Sequence, residues 1–316
     1  MKKKAILLVA FGSGSPQGES TLRRVRNRVH ARFPNISVRL AFTSLLMCRR
    51  LAEARKKTDS VAKALRKLHF ERYTHVAVQS LHAIPGAEYS GLVNEVQSAQ
   101  TYFDQISLGA PLLAYEADLL PAAKALLNHI PKSRQAHEHV IFMGHGTKHM
   151  AHAHYEAFAA CVNVLDSRVH IGTMDGDYEL AGILPKLAEA YGHEDAACDM
   201  AASLAQGSPV LVTGTQSQAP AQRVWLMPLL SVVGHHATQD MAGQGADSWR
   251  ARIEAEGYIC KPILRGIADS ADFVELWLDN LAVALERLDC ADSAGCAGST
   301  GCTDSADSTG SGLVQI

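Results

Sequence analysis

Val9-Ala10-Phe11-Gly12-Ser13 returns later in the chain, altered, as Met143-Gly144-His145-Gly146-Thr147. Each stretch closes an apolar run, then turns through a glycine followed by a hydroxyl residue. The first run, Ala5 to Phe11, is unbroken, which marks a strand buried on both faces. A second pair repeats the relation. Val78-Gln79-Ser80-Leu81-His82-Ala83-Ile84-Pro85-Gly86 parallels Leu226-Met227-Pro228-Leu229-Leu230-Ser231-Val232-Val233-Gly234. On this alignment Phe11 falls opposite His145, and Glu88 opposite His236. Two similar lobes are expected, presenting matching loops across a shared cleft.

The rest of the chain fits that plan. Strand patterns at 5–11, 38–42, 74–79, 105–108, 139–143, 168–172, 224–230 and 258–263 alternate with helical spacing at 20–33, 45–55, 60–70, 88–103, 116–128, 151–165, 178–191, 248–256 and 272–288. Such alternation implies βαβ units and parallel sheets with right-handed crossovers. The expected fold is α/β, with two Rossmann-like lobes whose sheets face a central cleft. Pro131, in the polar stretch 130–138, marks the junction between an N-terminal lobe (1–130) and a C-terminal lobe (131–288). Residues 193–222, rich in Ala, Gly, Ser and Gln, read as an inserted excursion, with 210–213 able to form a short strand. Residues 289–316 read as a disordered Gly/Ser/Asp tail with Cys290, Cys296 and Cys302 six residues apart.

The 316 residues are 47% hydrophobic and 20% charged, with net charge −2. That composition supports a core without disulfide staples. Its dispersed, near-neutral charge argues against a nucleic-acid partner. The apolar run after Met1-Lys2-Lys3-Lys4 is far shorter than the ~18 residues of a membrane span and lacks a cleavage site, so no membrane partner is expected and a cytoplasmic location is. Cys48, Cys161, Cys198 and Cys260 stand alone, with no CxxC pair. The unusual entry is histidine, at 15 copies, which favours metal or proton chemistry.

Ligands of open α/β sheets bind beyond the carboxyl ends of the strands, so strand-end residues are the candidates. Gly144-His145-Gly146-Thr147 places an imidazole there between glycines that permit close approach. A glycine-lined turn with an incidental histidine reads the same way. In Gly234-His235-His236-Ala237-Thr238-Gln239-Asp240-Met241, taken as an extended loop, only one histidine faces the cleft. Asp175, in Gly172-Thr173-Met174-Asp175-Gly176-Asp177, can orient a histidine or take a proton, or mark a plain turn. Of the further histidines, with His137 and His139 upstream, His149, His152 and His154 read better as a histidine-rich helix surface. Gly12-Ser13-Gly14-Ser15-Pro16-Gln17-Gly18 is neither GxGxxG nor GxxxxGK[ST], but its N–H groups at a helix start suit a carboxylate. Two neutral imidazoles and a carboxylate, His145, His236 and Asp175, make a partial shell for a divalent metal that must be released again. Three protein ligands also leave a position open.

At these residues the chain resembles the anaerobic cobalt chelatases of cobalamin synthesis, class II chelatases related to the protoporphyrin ferrochelatases. The resemblance covers about residues 4–288. It is carried by Leu8-Val9-Ala10-Phe11-Gly12-Ser13, Ala41-Phe42-Thr43-Ser44, Val76-Ala77-Val78-Gln79-Ser80-Leu81-His82, Phe142-Met143-Gly144-His145-Gly146-Thr147, Leu226-Met227-Pro228-Leu229 and, most specifically, the stretch Gly234 to Gly243 followed by Asp247-Ser248-Trp249. It implies a bilobal enzyme that inserts Co(II) into sirohydrochlorin, with release of two protons and no organic cofactor. His145 and His236 match the metal-binding and catalytic histidines. Glu88 matches a catalytic acid of the cleft. Asp175 falls where the family has glutamate, one methylene longer, as third metal ligand. Gly12, Ser13, Gly146 and Thr147, with Lys148, are expected to meet the substrate. Fe(II) insertion toward sirohaem, and a non-catalytic metal or tetrapyrrole carrier, remain alternatives, and a homo-oligomer stays open.

Overall fold

The computed structural model describes residues 2–146, 152–176, 179–189, 191 and 222–294. The opening strand is β1, Lys4–Ala10, and everything from Ala5 to Ala10 is buried. It is flanked by β2 (Ser37–Phe42) and β3 (His75–Ser80), with β4 (Gln105–Gly109) beyond. The order is β2-β1-β3-β4 and every pairing is parallel. The second sheet repeats it: β5 (His139–Gly146), β6 (Val169–Asp175), β7 (Arg223–Pro228) and β8 (Ile259–Pro262) stand in the order β6-β5-β7-β8, all parallel. Strand register makes the repeat explicit, because Val9 pairs with Ser80 and Met143 with Pro228. The next amide does the same in each lobe: Leu81 donates to the Val9 carbonyl at 2.7 Å and Leu229 to the Met143 carbonyl at 2.8 Å.

Helices α1 (Pro16–Arg32), α2 (Leu45–Glu53), α3 (Val61–Phe70), α4 (Ala87–Ser98) and α5 (Glu116–His129) belong to the first half. The second half adds α6 (His152–Leu165), α7 (184–189), α8 (Trp249–Ala255) and α9 (Ala271–Ala294). Four of them start on a serine whose hydroxyl accepts a backbone N–H of the first turn: Ser15, Ser44, Ser60 and Ser248. Each such cap is worth about 1 kcal/mol and fixes where the strand-end loop stops.

Three expectations change. The helix expected over 178–191 is a 3-10 turn at Leu180–Gly182 followed by α7; Pro185 can open a helix but not continue one. β5 and β6 run beyond the expected 143 and 172 to Gly146 and Asp175, so His145 and Asp175 belong to strands. α9 runs six residues past Leu288, so Asp289 and Cys290 are helical, with Asp289 held by Lys2 and Lys4 at 2.7 Å each. The expected strand at 210–213, most of the excursion and Cys296 and Cys302 lie outside the described residues.

The lobes share one core, in which Ile6 and Leu8 of β1, Phe142 of β5, Trp225 of β7 and Trp277 of α9 are contiguous. α9 leaves the second sheet and lies on the first. Ser107 donates to the Ala284 carbonyl at 2.6 Å, Trp277 to the His82 carbonyl at 3.3 Å and Asn280 to the Ala110 carbonyl at 3.1 Å. No helix among the described residues is long and apolar enough to cross a membrane.

Candidate functional site

His145 is the next-to-last residue of β5, and the strand end is built to present it. A side chain at Gly144 would place its Cβ 2.8 Å from the Tyr155 ring, so only glycine lets that ring pack beneath. The Tyr155 phenol is wholly buried, accepts backbone N–H bonds from Gly146 and His145, and is pushed up to about 12 by burial. It holds the two amides as a neutral acceptor. Gly146 has φ +82°, and a Cβ there would lie 1.9 Å from the Asp175 carbonyl. Gly146 pairs with Asp175 across the β5–β6 ladder, which sets the Asp175 carboxylate 3.8 Å from His145 Nδ1. Both side chains are about half exposed.

His236 arrives from the loop after β7. That loop is not extended, as the sequence suggested. His235 has helical φ/ψ of −54°/−49°, and His236–Met241 is a π-helical turn, a rare form that gathers at functional sites. The turn brings His236 and Asp240 together, with Nδ1 donating to Oδ2 at 2.6 Å. That bond fixes the imidazole tautomer and leaves Nε2 with its lone pair, the arrangement that second-shell carboxylates impose on metal-binding histidines. The His145 and His236 rings stand 5.0 Å apart, nearly perpendicular at 81°. His235 is exposed, its ring 6.0 Å from that of His236. Asp240 was quoted in the sequence motif but given no role, because i and i+4 are neighbours only on a helix.

The N-terminal lobe reaches the same place. Gly12, the counterpart of Gly146, also has positive φ (+112°), and a Cβ would meet Phe42 at 2.9 Å. Phe11, the counterpart of His145, is 41% exposed. Ser13 is buried, and its hydroxyl is engaged within the protein. It and Ser15 donate to the Val233 carbonyl at 3.4 Å and 2.8 Å. From the other side Ser231 donates to the Leu81 carbonyl at 2.6 Å. The histidine-bearing loop is therefore bonded to the opposite lobe just ahead of Gly234. Glu88 stands exposed in the first turn of α4, making no hydrogen bond or ion pair with His145 or His236. Thr147, Lys148 and His149 lie outside the described residues. His154 is half-buried, and burial pushes its imidazole down.

Two imidazoles and two carboxylates thus converge at the C-terminal edge of the second sheet, opposite the loops of the first. Among the described residues no three His, Cys, Asp or Glu side chains are close enough to hold an ion outright. The 3.8 Å between His145 Nδ1 and the Asp175 carboxylate is too long for a hydrogen bond, but two donors each about 2.1 Å from one ion can stand that far apart. The carboxylates offset a divalent charge and the imidazole nitrogens can displace its water, while the partial exposure of all four side chains leaves an exit.

Two parallel α/β lobes with a histidine pair at the edge of the second sheet fit a metal chelatase. SirB from Bacillus subtilis, solved with Fe3+, shares this fold with a TM-score of 0.57 at 13% identity, over 93% of this chain and 98% of that one. The cobalt chelatase (CbiK) family model matches residues 4–286, and the chain belongs to that family of enzymes. It is 52% identical over 291 residues to the sirohydrochlorin cobaltochelatase CbiKC of Nitratidesulfovibrio vulgaris (strain Hildenborough), covering 92% of this chain and 93% of that one. It is 34% identical over 285 residues to the sirohydrochlorin cobaltochelatase of Salmonella typhimurium (strain LT2), covering 90% and 97%.

Proposed function

We propose that this chain inserts Co(II) into sirohydrochlorin in the cytoplasm, with residues 1–130 and 131–288 as the two jaws. The observation that carries the roles is the perpendicular His145–His236 pair at 5.0 Å, with Asp240 fixing one tautomer. Metallation replaces two ring N–H bonds by bonds to the metal. One divalent ion enters and two protons leave, so charge balances. His145 and His236 take water's place on the ion and then receive the protons. Asp175 assists His145 and completes the ligand set after a side-chain rotation. Glu88, from the facing lobe, is the candidate proton acceptor on the other face of the ring. No organic cofactor has a part in this scheme. The backbone of Gly12 and Gly146 meets the substrate, while Ser13 acts by holding the Val233 loop.

The test is purified protein with sirohydrochlorin and Co(II), followed by absorbance. His145→Ala and His236→Ala should each slow turnover by about 100-fold or more, the usual weight of a general base. Full rates in both variants would falsify the assignment. Fe(II) run in parallel measures metal preference, since imidazole and carboxylate accept either ion. Multiple turnovers exclude a stoichiometric carrier.

A further inference from the structure

α2 leaves its outer face uncovered. Leu45 and Leu46, consecutive in the first turn, are 57% and 58% exposed, while Leu51 of the same helix is buried. Arg49 and Arg50 are exposed as well, and among the described residues neither guanidinium has an ion-pair or hydrogen-bond partner. The spacing is i, i+4 twice over. Each arginine stands one helical turn, about 5.4 Å, beyond a leucine in the same column. The outward face therefore reads as an apolar step followed by a cationic one.

The position of this face follows from backbone bonds. Thr43 and Ser44, at the start of α2, donate their N–H groups to the Ala10 and Phe11 carbonyls at 2.9 Å and 3.2 Å. Met47 packs against Gly12 and Gly14, in the loop whose Ser13 and Ser15 bind the carbonyl of Val233. The leucine end of α2 thus lies beside exposed Phe11 at the strand-end rim that faces the histidines. The arginine end lies a turn farther out.

We propose that this face of α2 is the docking rim for the substrate's periphery. Leu45 and Leu46, continuing from Phe11, receive the apolar ring edge, and Arg49 and Arg50 receive carboxylates that fringe it. The inference rests on the proposed function and adds the groups that select a carboxylate-rich macrocycle. A flat apolar ring with acidic arms matches both steps of the face. Guanidinium forks suit carboxylates, and two unpaired arginines repel a second copy of the same face.

The experiment titrates metal-free sirohydrochlorin, and separately deuteroporphyrin with far fewer carboxylates, into the full chain by absorbance and fluorescence. Arg49→Glu/Arg50→Glu should raise the Kd and KM for sirohydrochlorin by about tenfold or more at low salt. The Kd for deuteroporphyrin should move much less. Arg49→Lys/Arg50→Lys should restore most of the affinity, and Leu45→Ser/Leu46→Ser should weaken both rings. Lys132→Glu, at the opposite edge between α5 and β5, is the control. A sirohydrochlorin Kd unchanged in the charge-reversed variant overturns the proposal. So does a fall in particle mass by light scattering in that variant, which would make the face a subunit contact. The ring titration needs no turnover, so it stands apart from the metallation assay. Wild-type protein that fails to metallate the ring defeats the proposed function instead.

Discussion

His145 depends on the residues that pair beside it at the end of β5. Gly146 is the most demanding, with a positive φ and a Cβ position inside the Asp175 carbonyl. Gly146→Ala should therefore push β5 and β6 apart, lowering turnover by about tenfold or more and the melting temperature by several degrees, checked by kinetics and thermal melts. Asp175 tests the opposite direction. Its carboxylate stops 3.8 Å from His145, and one added methylene would close the gap. Asp175→Glu should lower the KM for Co(II), and Asp175→Ala should raise it. Equal KM values across the series would remove the carboxylate from metal handling. The two histidines were legible because glycines flank one and the repeat points to the other. Asp240 was not, since its partnership with His236 exists only after the loop coils.

At the scale of elements, the strands were legible from their apolar runs, whereas their order in each sheet and the serine caps emerged only from the structure. The π-turn was not legible either. Gly234 to Gly243 has too few apolar residues to show a period, and its coil is set by contacts, with Ala237 and Met241 buried beneath it. The loop's approach is set in turn by the bond from Ser15 to Val233 at 2.8 Å. Ser15→Ala removes both that bond and the α1 cap. We expect a loss of about 1–2 kcal/mol in stability and a drop in kcat larger than any rise in KM for sirohydrochlorin, while Ser15→Thr recovers both. A kcat equal to that of the unaltered chain would mean the loop holds its place without the bond.

For the molecule as a whole, acid is the predicted weakness. His129 is buried and His82 and His170 are half-buried, and desolvation holds each near pKa about 4, against an ordinary value of 6.5. The unfolded chain binds protons at these sites from pH 6.5 downward, whereas the folded chain refuses them until about 4. Stability is therefore full above 6.5 and is lost as pH falls through that window, on the order of 3 kcal/mol per group at its acid end. Melting temperature measured from pH 7 down to 4.5 should fall steadily, and His82→Gln should flatten part of the slope. A level profile would rule burial out as the cause. The halves of the fold were legible from the repeat, but their joining was not. Nothing in the pattern of 272–288 says which sheet its apolar stripe will cover.

The destination of α9 has a consequence during synthesis. The first sheet is complete once β4 has emerged, yet the helix that roofs β3 and β4 begins roughly 160 residues later. At ribosomal speeds of about 5–20 residues per second that face stays bare for on the order of ten seconds. The nascent N-terminal half is thus a natural client for chaperones, and it cannot finish as an autonomous unit before the last helix leaves the tunnel.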